Sequence, residues 1–242
     1  MCELVSGWIN AKTLAVECRD LTSHSGTQKL MGWNSDEIAN WREWEWTEMG
    51  LVVRVPPDDA HEAAWYASEI ESRFKSRAVA LSWCISRVND TGGGLYLSSV
   101  TSLGGVTLPQ SVGGGLYLAS VTSLGGVTLP QSVGGNLYLD RVTSLDGVTL
   151  PQSVGGGLYL ASVTSLAGVT LPQSVGGNLC LDSVTSLDGV TLPQSVGGNL
   201  YLDSVTSLAG ATLPQSVGGM VYVFGELRTF EQVRELAKVV KP

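Results

Sequence analysis

The 242 residues are 43% apolar and 15% charged, so the chain can bury a sizeable core and lacks the composition of a disordered protein. Its formal net charge is −8, and residues 92–217 contain a single basic residue, Arg141, which argues against direct binding of nucleic acid phosphates. No apolar run approaches the roughly 18 to 20 residues of a membrane span, and no basic start is followed by an apolar run. We therefore predict a cytoplasmic protein that contacts no membrane.

Residues 1–91 do not repeat, and they contain all seven tryptophans of the chain. Apolar alternation in 4–9 and 13–18 predicts a hairpin, and two further strands are predicted at 41–47 and 51–55. Apolar residues spaced by three and four then predict one long helix from about 59 to 87. These elements predict a small α+β N-terminal domain.

Residues 92–217 consist of one 21-residue unit repeated six times, with the fullest copy, GGNLYLDRVTSLDGVTLPQSV, at 134–154. A fixed short period is typical of a solenoid, in which each copy forms one coil and neighbouring coils bury a shared core. The fold class is therefore mainly β, with six 21-residue coils between the N-terminal domain and a C-terminal cap.

Two short strands are expected in each coil, at 137–139 and at 148–150 of the fullest copy, and Pro151 ends the second strand. The side chains predicted to point inward from this coil are Leu137, Leu139, Val142, Leu145, Val148, Leu150 and Val154. This apolar set suffices for a narrow core when the coils stack.

The segment from Leu145 through Val148, Leu150, Pro151, Ser153 and Val154 resembles the repeat of bacterial leucine-rich-repeat proteins, especially the Treponema-type LxxIxLPxSV class. The resemblance recurs in all six coils, about half of the chain. It implies a protein-binding scaffold and brings no catalytic residues. The chain carries Leu-Tyr-Leu where that class continues with IGxxAFxxC, so a curved horseshoe and a straighter two-sheet solenoid are both open.

After residue 217 the repeat decays into the start of a seventh coil, followed by helical spacing through Phe230, Val233, Leu236 and Ala237. Thr229 is the expected N-cap of this helix. An open solenoid end exposes a sheet edge, and an amphipathic helix laid over it prevents fibre growth. We predict that residues 218–242 form such a cap.

Three sets of residues are candidate partner-binding positions. The first is an outward row on the Leu-Tyr-Leu strand, interrupted by Cys180 and formed by Tyr96, Tyr117, Tyr138, Tyr159 and Tyr201. The second is an acidic column formed by Asp140, Asp182 and Asp203, and the third is the tryptophan group Trp41, Trp44 and Trp46.

Each set also has a purely structural interpretation. Stacked tyrosines stabilise a sheet without binding anything, tryptophans pack in cores, and aspartates are common at solvated turns. DNA mimicry by the aspartates is disfavoured, because duplex DNA carries about one negative charge per 1.7 Å and the six coils have a net charge of only −4.

The sequence contains no catalytic, metal-binding or cofactor-binding motif. The two histidines, His24 and His61, are not tied by any motif to a cysteine or serine, and the glycine pairs are not followed by the Lys-Ser/Thr of a phosphate loop. We therefore predict a non-enzymatic protein that binds a protein partner. Two alternatives are a phage or mobile-element inhibitor of a bacterial defence nuclease, acting by occlusion or acidic mimicry, and a cell-surface adhesin-like repeat protein.

Overall fold

The structure is a computed structural model, and it describes residues 6–10, 16–18, 41–47, 50–54, 82, 94–98 and 100–239. The strands before residue 82 and the last two helical residues are described by their backbone alone. The chain divides into two compact units, Met1–Thr91 and Gly92–Pro242.

In the first unit, four strands form an antiparallel sheet in the order β2-β1-β3-β4. These strands are β1 (Ser6–Asn10), β2 (Val16–Cys18), β3 (Trp41–Thr47) and β4 (Gly50–Arg54). The pairings of β1 with β2 and of β3 with β4 confirm the predicted hairpin and strand pair. The long helix predicted for 59–87 lies outside the described residues, apart from the helical Ser82.

The second unit is a β-solenoid of about six turns, in which residues 21 positions apart pair in parallel register. Each coil contributes one strand to each of two sheets. The first, called the Leu-Tyr sheet, contains β5 (Leu95–Tyr96), β7 (Leu116–Tyr117), β9 (Leu137–Tyr138), β11 (Leu158–Tyr159), β13 (Leu179–Cys180), β15 (Leu200–Leu202), β17 (Val221–Val223) and β18 (Glu226–Arg228). The second, called the Ser-Val sheet, contains β6 (Ser111–Val112), β8 (Ser132–Val133), β10 (Ser153–Val154), β12 (Ser174–Val175), β14 (Ser195–Val196) and β16 (Ser216–Val217).

The second strand of each coil lies after the proline, so its predicted position at 148–150 was wrong for the third coil. At the equivalent position of the fifth and sixth coils, Thr191 and Thr212 do pair, as an isolated parallel bridge. The Val148 N–H donates to the Leu145 carbonyl at 2.9 Å, closing a turn in which Gly147 has a φ of 70°. That N–H is therefore not available to the next coil. Pairing between coils resumes at Gln152, whose N–H donates to the Gln131 carbonyl at 2.8 Å.

The core of the solenoid is a column of leucine and valine side chains. In the third coil the fully buried positions include Leu137, Leu139 and Val142, none of which exposes any of its surface. Leu145, Leu150 and Val154 are also buried, at 5% exposure or less. Val148 is only half-buried, because it sits at the end of the turn, so six of the seven predicted core positions are confirmed.

The glycine pairs allow the coils to approach closely where the chain passes from one sheet to the other. A Cβ added to Gly176 would lie 2.0 Å from the carbonyl oxygen of Gly155 in the preceding coil. The Gly176 N–H also donates to the Val154 carbonyl at 2.9 Å. No side chain fits at this backbone contact, which explains why both glycines recur in every coil.

The C-terminal end adds a hairpin and a helix to the last coil. Strands β17 and β18 are antiparallel, and the turn between them places Phe224 and Gly225 at φ values of 57° and 71°, as a type I′ turn requires. Helix α1 (Phe230–Val239) then begins as predicted after Thr229. Thr229 and Gln232 form a reciprocal capping box, with N–H bonds of 2.8 and 3.3 Å. Val233 packs into the core at 1% exposure.

Candidate binding face of the Leu-Tyr sheet

The outward face of the Leu-Tyr sheet carries a row of stacked tyrosine rings, which confirms that these side chains share one face. Cys180 interrupts the row in the fifth coil and separates a stack of four rings from a stack of two. The ring centroids are separated by 4.3 Å in Tyr96–Tyr117, 4.8 Å in Tyr117–Tyr138, 4.3 Å in Tyr138–Tyr159 and 4.7 Å in Tyr201–Tyr222. Tyr96 at the end of the row is 39% exposed, and the other rings are half-buried by their neighbours.

Asparagines beside the row hold the coils together. Asn136 Oδ1 accepts the N–H of Gly157 in the next coil at 2.7 Å, and Asn136 Nδ2 donates to the Tyr138 hydroxyl at 3.2 Å. Asn199 repeats both bonds, to the next coil at 2.9 Å and to the Tyr201 hydroxyl at 3.1 Å. This role of the asparagines was not predicted. The signal for it in the sequence is the presence of Asn instead of Gly two residues before the tyrosine.

The acidic column follows the row by two residues. All three aspartates lie in turns, where Asp203 is exposed and Asp140 and Asp182 are half-buried. Burial raises the pKa of the Asp140 carboxyl above its ordinary value, and it does the same for Asp182. The neighbouring Asp203 raises the pKa of Asp182 further.

We expect Asp182→Ala to stabilise the protein at pH 7, by less than about 1 kcal/mol because solvent screens a half-buried carboxyl. The raised pKa means that the folded state binds the proton more tightly than the unfolded state. The ionised Asp182 carboxylate therefore destabilises the folded state at neutral pH. This destabilisation decreases as the pH falls through the folded-state pKa, and it is absent below the ordinary pKa of 3.8. Alanine already occupies this position at Ala119 and Ala161.

The measurement is urea unfolding of wild type and Asp182→Ala between pH 4 and pH 7. Asp188→Ala, a change at an exposed residue, controls for the altered net charge. A difference in unfolding free energy that grows as the pH falls would contradict the predicted sign.

Cys180 and the neighbouring Tyr159 have raised pKa values. Burial, followed by the charges of Asp182 and Asp140, raises the pKa of the Cys180 thiol to about 12. Burial and then Tyr138 raise the pKa of Tyr159 to about 12. The row is therefore uncharged at Tyr159 and Cys180 at neutral pH, and it has carboxylates along one side.

The tryptophans Trp41, Trp44 and Trp46 lie on β3, which is an inner strand of the four-stranded sheet. Their side chains lie outside the described part of the structure, so their role as contact residues stays a prediction.

Among the residues that the structure describes, the Ser-Val sheet of the solenoid carries no charged or aromatic side chains in its groove. A groove of about 750 Å³ follows the Ser-Val sheet and is lined by its serines, valines and the first glycine of each pair. Over residues 94–98 and 100–239, and in the short segments described before them, no three His, Cys, Asp or Glu side chains are grouped to hold a metal ion. In the same parts of the chain, no helix has the length and apolar character needed to cross a membrane.

Comparison of the chain with protein-family models, with curated proteins and with solved structures finds no match.

Proposed function

We propose that this chain is a non-enzymatic scaffold that binds a protein partner through the tyrosine row of its Leu-Tyr sheet. The observation that carries the proposal is the ordered stack of tyrosine rings, four in one run, on the outward face of a parallel sheet. Tyrosine offers a large amphipathic contact area at a small cost in side-chain entropy, and for this reason it is enriched at binding surfaces.

Two further features support a contact role for this face. Because neighbouring rings hold one another, little conformational freedom is left to lose when a partner binds. The carboxylates of Asp140, Asp182 and Asp203 favour a partner whose matching surface is positively charged. The resemblance to bacterial leucine-rich repeats points to the same kind of function, since it implies a protein-binding scaffold.

The proposal predicts that Tyr138→Ala combined with Tyr159→Ala weakens partner binding by at least about 30-fold, the loss expected from removing a hot spot of roughly 2 kcal/mol. The full chain is used as bait on a bacterial lysate, and the captured protein is purified. Its dissociation constant is then measured for wild type and variant. Tyr138→Phe with Tyr159→Phe retains the stack and separates the contribution of the rings from that of the hydroxyls.

Two matched variants show where the contact lies. Thr149→Ala with Thr170→Ala changes two exposed residues of the same coils outside the Leu-Tyr sheet, and we expect it to bind like wild type. Trp44→Ala with Trp46→Ala tests the N-terminal unit. If only the tryptophan variant loses the partner, the tyrosine row is not the contact surface. Equal losses in the tyrosine and threonine variants would also contradict the proposal.

A further inference from the structure

The tyrosine row contains one gap of the size of an aromatic ring. Cys180 pairs with Tyr159 on one side and with Tyr201 on the other, so these two rings are two strand spacings apart, about 9.6 Å. Elsewhere in the row a tyrosine ring fills each such interval, at 4.3 to 4.8 Å from its neighbours. The cysteine side chain ends at Sγ, where a tyrosine ring would begin. The faces of Tyr159 and Tyr201 that look into the gap therefore lack a stacking partner.

The neighbouring coils show where a ring in this gap would lie. A Cβ added to Gly157 would lie 2.7 Å from the ring of Tyr159. The Tyr159 ring therefore lies over Gly157, the residue two positions earlier in the chain. In the fifth coil, the residue two positions before Cys180 is Asn178. A ring in the gap would accordingly lie above Asn178 and Cys180.

A hydrogen-bond donor is fixed in position at the gap. Asn178 Oδ1 accepts the N–H of Asn199 at 2.8 Å, which orients the amide as in Asn136 and Asn199. In those two residues Nδ2 donates to a tyrosine hydroxyl. Asn178 Nδ2 donates to no atom of the chain that the structure describes. The gap therefore lacks a hydroxyl as well as a ring.

The surroundings disfavour an anionic ligand. The floor is an uncharged thiol, and Asp182 and Asp203 lie along one side, so an anion would be repelled. A phenol is neutral at pH 7, since the ordinary pKa of its hydroxyl is about 10.

We propose that the gap between Tyr159 and Tyr201 is a binding site for one phenolic ring, which stacks between the two tyrosines and accepts a hydrogen bond from Asn178 Nδ2. The site goes beyond partner binding by the whole face and does not depend on it. Stacking on both faces together with one hydrogen bond from an asparagine is the set of interactions that Tyr138 has in the third coil.

The test uses 3-fluorophenol as the probe, because its position para to the hydroxyl, which faces Cys180, carries no substituent. The readout is its ¹⁹F line width in the presence of the full chain. We expect wild type to bind with a dissociation constant on the order of 1 mM, as the ligand has only eight heavy atoms. Cys180→Tyr places a tyrosine ring in the gap, as in the neighbouring coils. Because this ring occupies the site of the probe, the variant should bind the probe at least about 10-fold more weakly. Cys180→Ser leaves the gap open and should bind within about threefold of wild type.

A second variant tests the hydrogen bond. Asn178→Gly introduces the residue found at Gly157, and it should weaken the binding of 3-fluorophenol about fivefold, the value of one neutral hydrogen bond. The same change should leave the binding of fluorobenzene, which has no hydroxyl, unaltered. This pair of probes distinguishes a lost hydrogen bond from a distorted site.

Several results would overturn the proposal. One is equal binding of 3-fluorophenol by wild type and Cys180→Tyr, which would locate the probe elsewhere on the chain. Another is displacement of the probe by methylguanidinium at lower concentration than by phenol, which would indicate a cation site beside the aspartates. A third is an unfolded Cys180→Tyr, judged by circular dichroism, because a ring-sized gap must accept the tyrosine that the other coils carry.

Discussion

Replacing Gly176 with alanine is expected to destabilise the solenoid by about 3 kcal/mol or more. The added Cβ would lie 2.0 Å from the carbonyl oxygen of Gly155, and backbone atoms of a paired strand cannot move aside as a flexible side chain can. Separating the two coils would also stretch the bond from the Gly176 N–H to the Val154 carbonyl. The substitution therefore either leaves a steric overlap in place or weakens the hydrogen bonds between the two coils.

The measurement is the free energy of unfolding from a urea titration followed by circular dichroism. Gly125→Ala is the matched control, because an added Cβ there meets only Ser123 Oγ at 3.6 Å, and alanine already occupies the same position at Ala167 and Ala209. The control should lie within about 0.5 kcal/mol of wild type. If both variants are equally stable, close backbone stacking does not explain the glycine pairs.

Leu158→Ala should lower the free energy of unfolding by about 3 to 5 kcal/mol, the range measured for leucines that leave a cavity in a packed core. Leu158 exposes none of its surface, and it lies in the fourth coil, where coils above and below both pack against it. In a stacked repeat, stability is approximately the sum of the coils and of their nearest-neighbour interfaces. A cavity in a central coil weakens the interfaces on both sides.

Leu227→Ala serves as the control for the leucine, since Leu227 is 53% exposed on β18. We expect it to cost less than about 0.5 kcal/mol. The slope of unfolding free energy against urea gives a second result. If Leu158→Ala lowers the slope, the coils on either side unfold separately. If the slope and the free energy of unfolding are both the same as in wild type, the packing described for the core is contradicted.

The 21-residue period and the alternation of leucines were enough to predict the solenoid, its first strand and most of its core. Both are properties of short stretches: residues alternate across a strand, and a unit that cannot bury its own apolar face must stack on a copy of itself. The N-cap at Thr229 was predictable for the same reason, because the capping bonds join residues three positions apart.

The tertiary structure alone decided where the second strand lies and what surrounds the tyrosine row. Residues 148–150 alternate like a strand, yet the Val148 N–H is used in a turn, and the second ladder is made after Pro151. Only the bridge between Thr191 and Thr212, among the described residues, lies at the predicted position. The bonds of Asn136 to Gly157 and the gap at Cys180 depend on atoms 21 residues apart along the chain. A local pattern determines which residues face inward, but hydrogen bonds and gaps between coils are set by stacking, which brings distant residues to within one strand spacing.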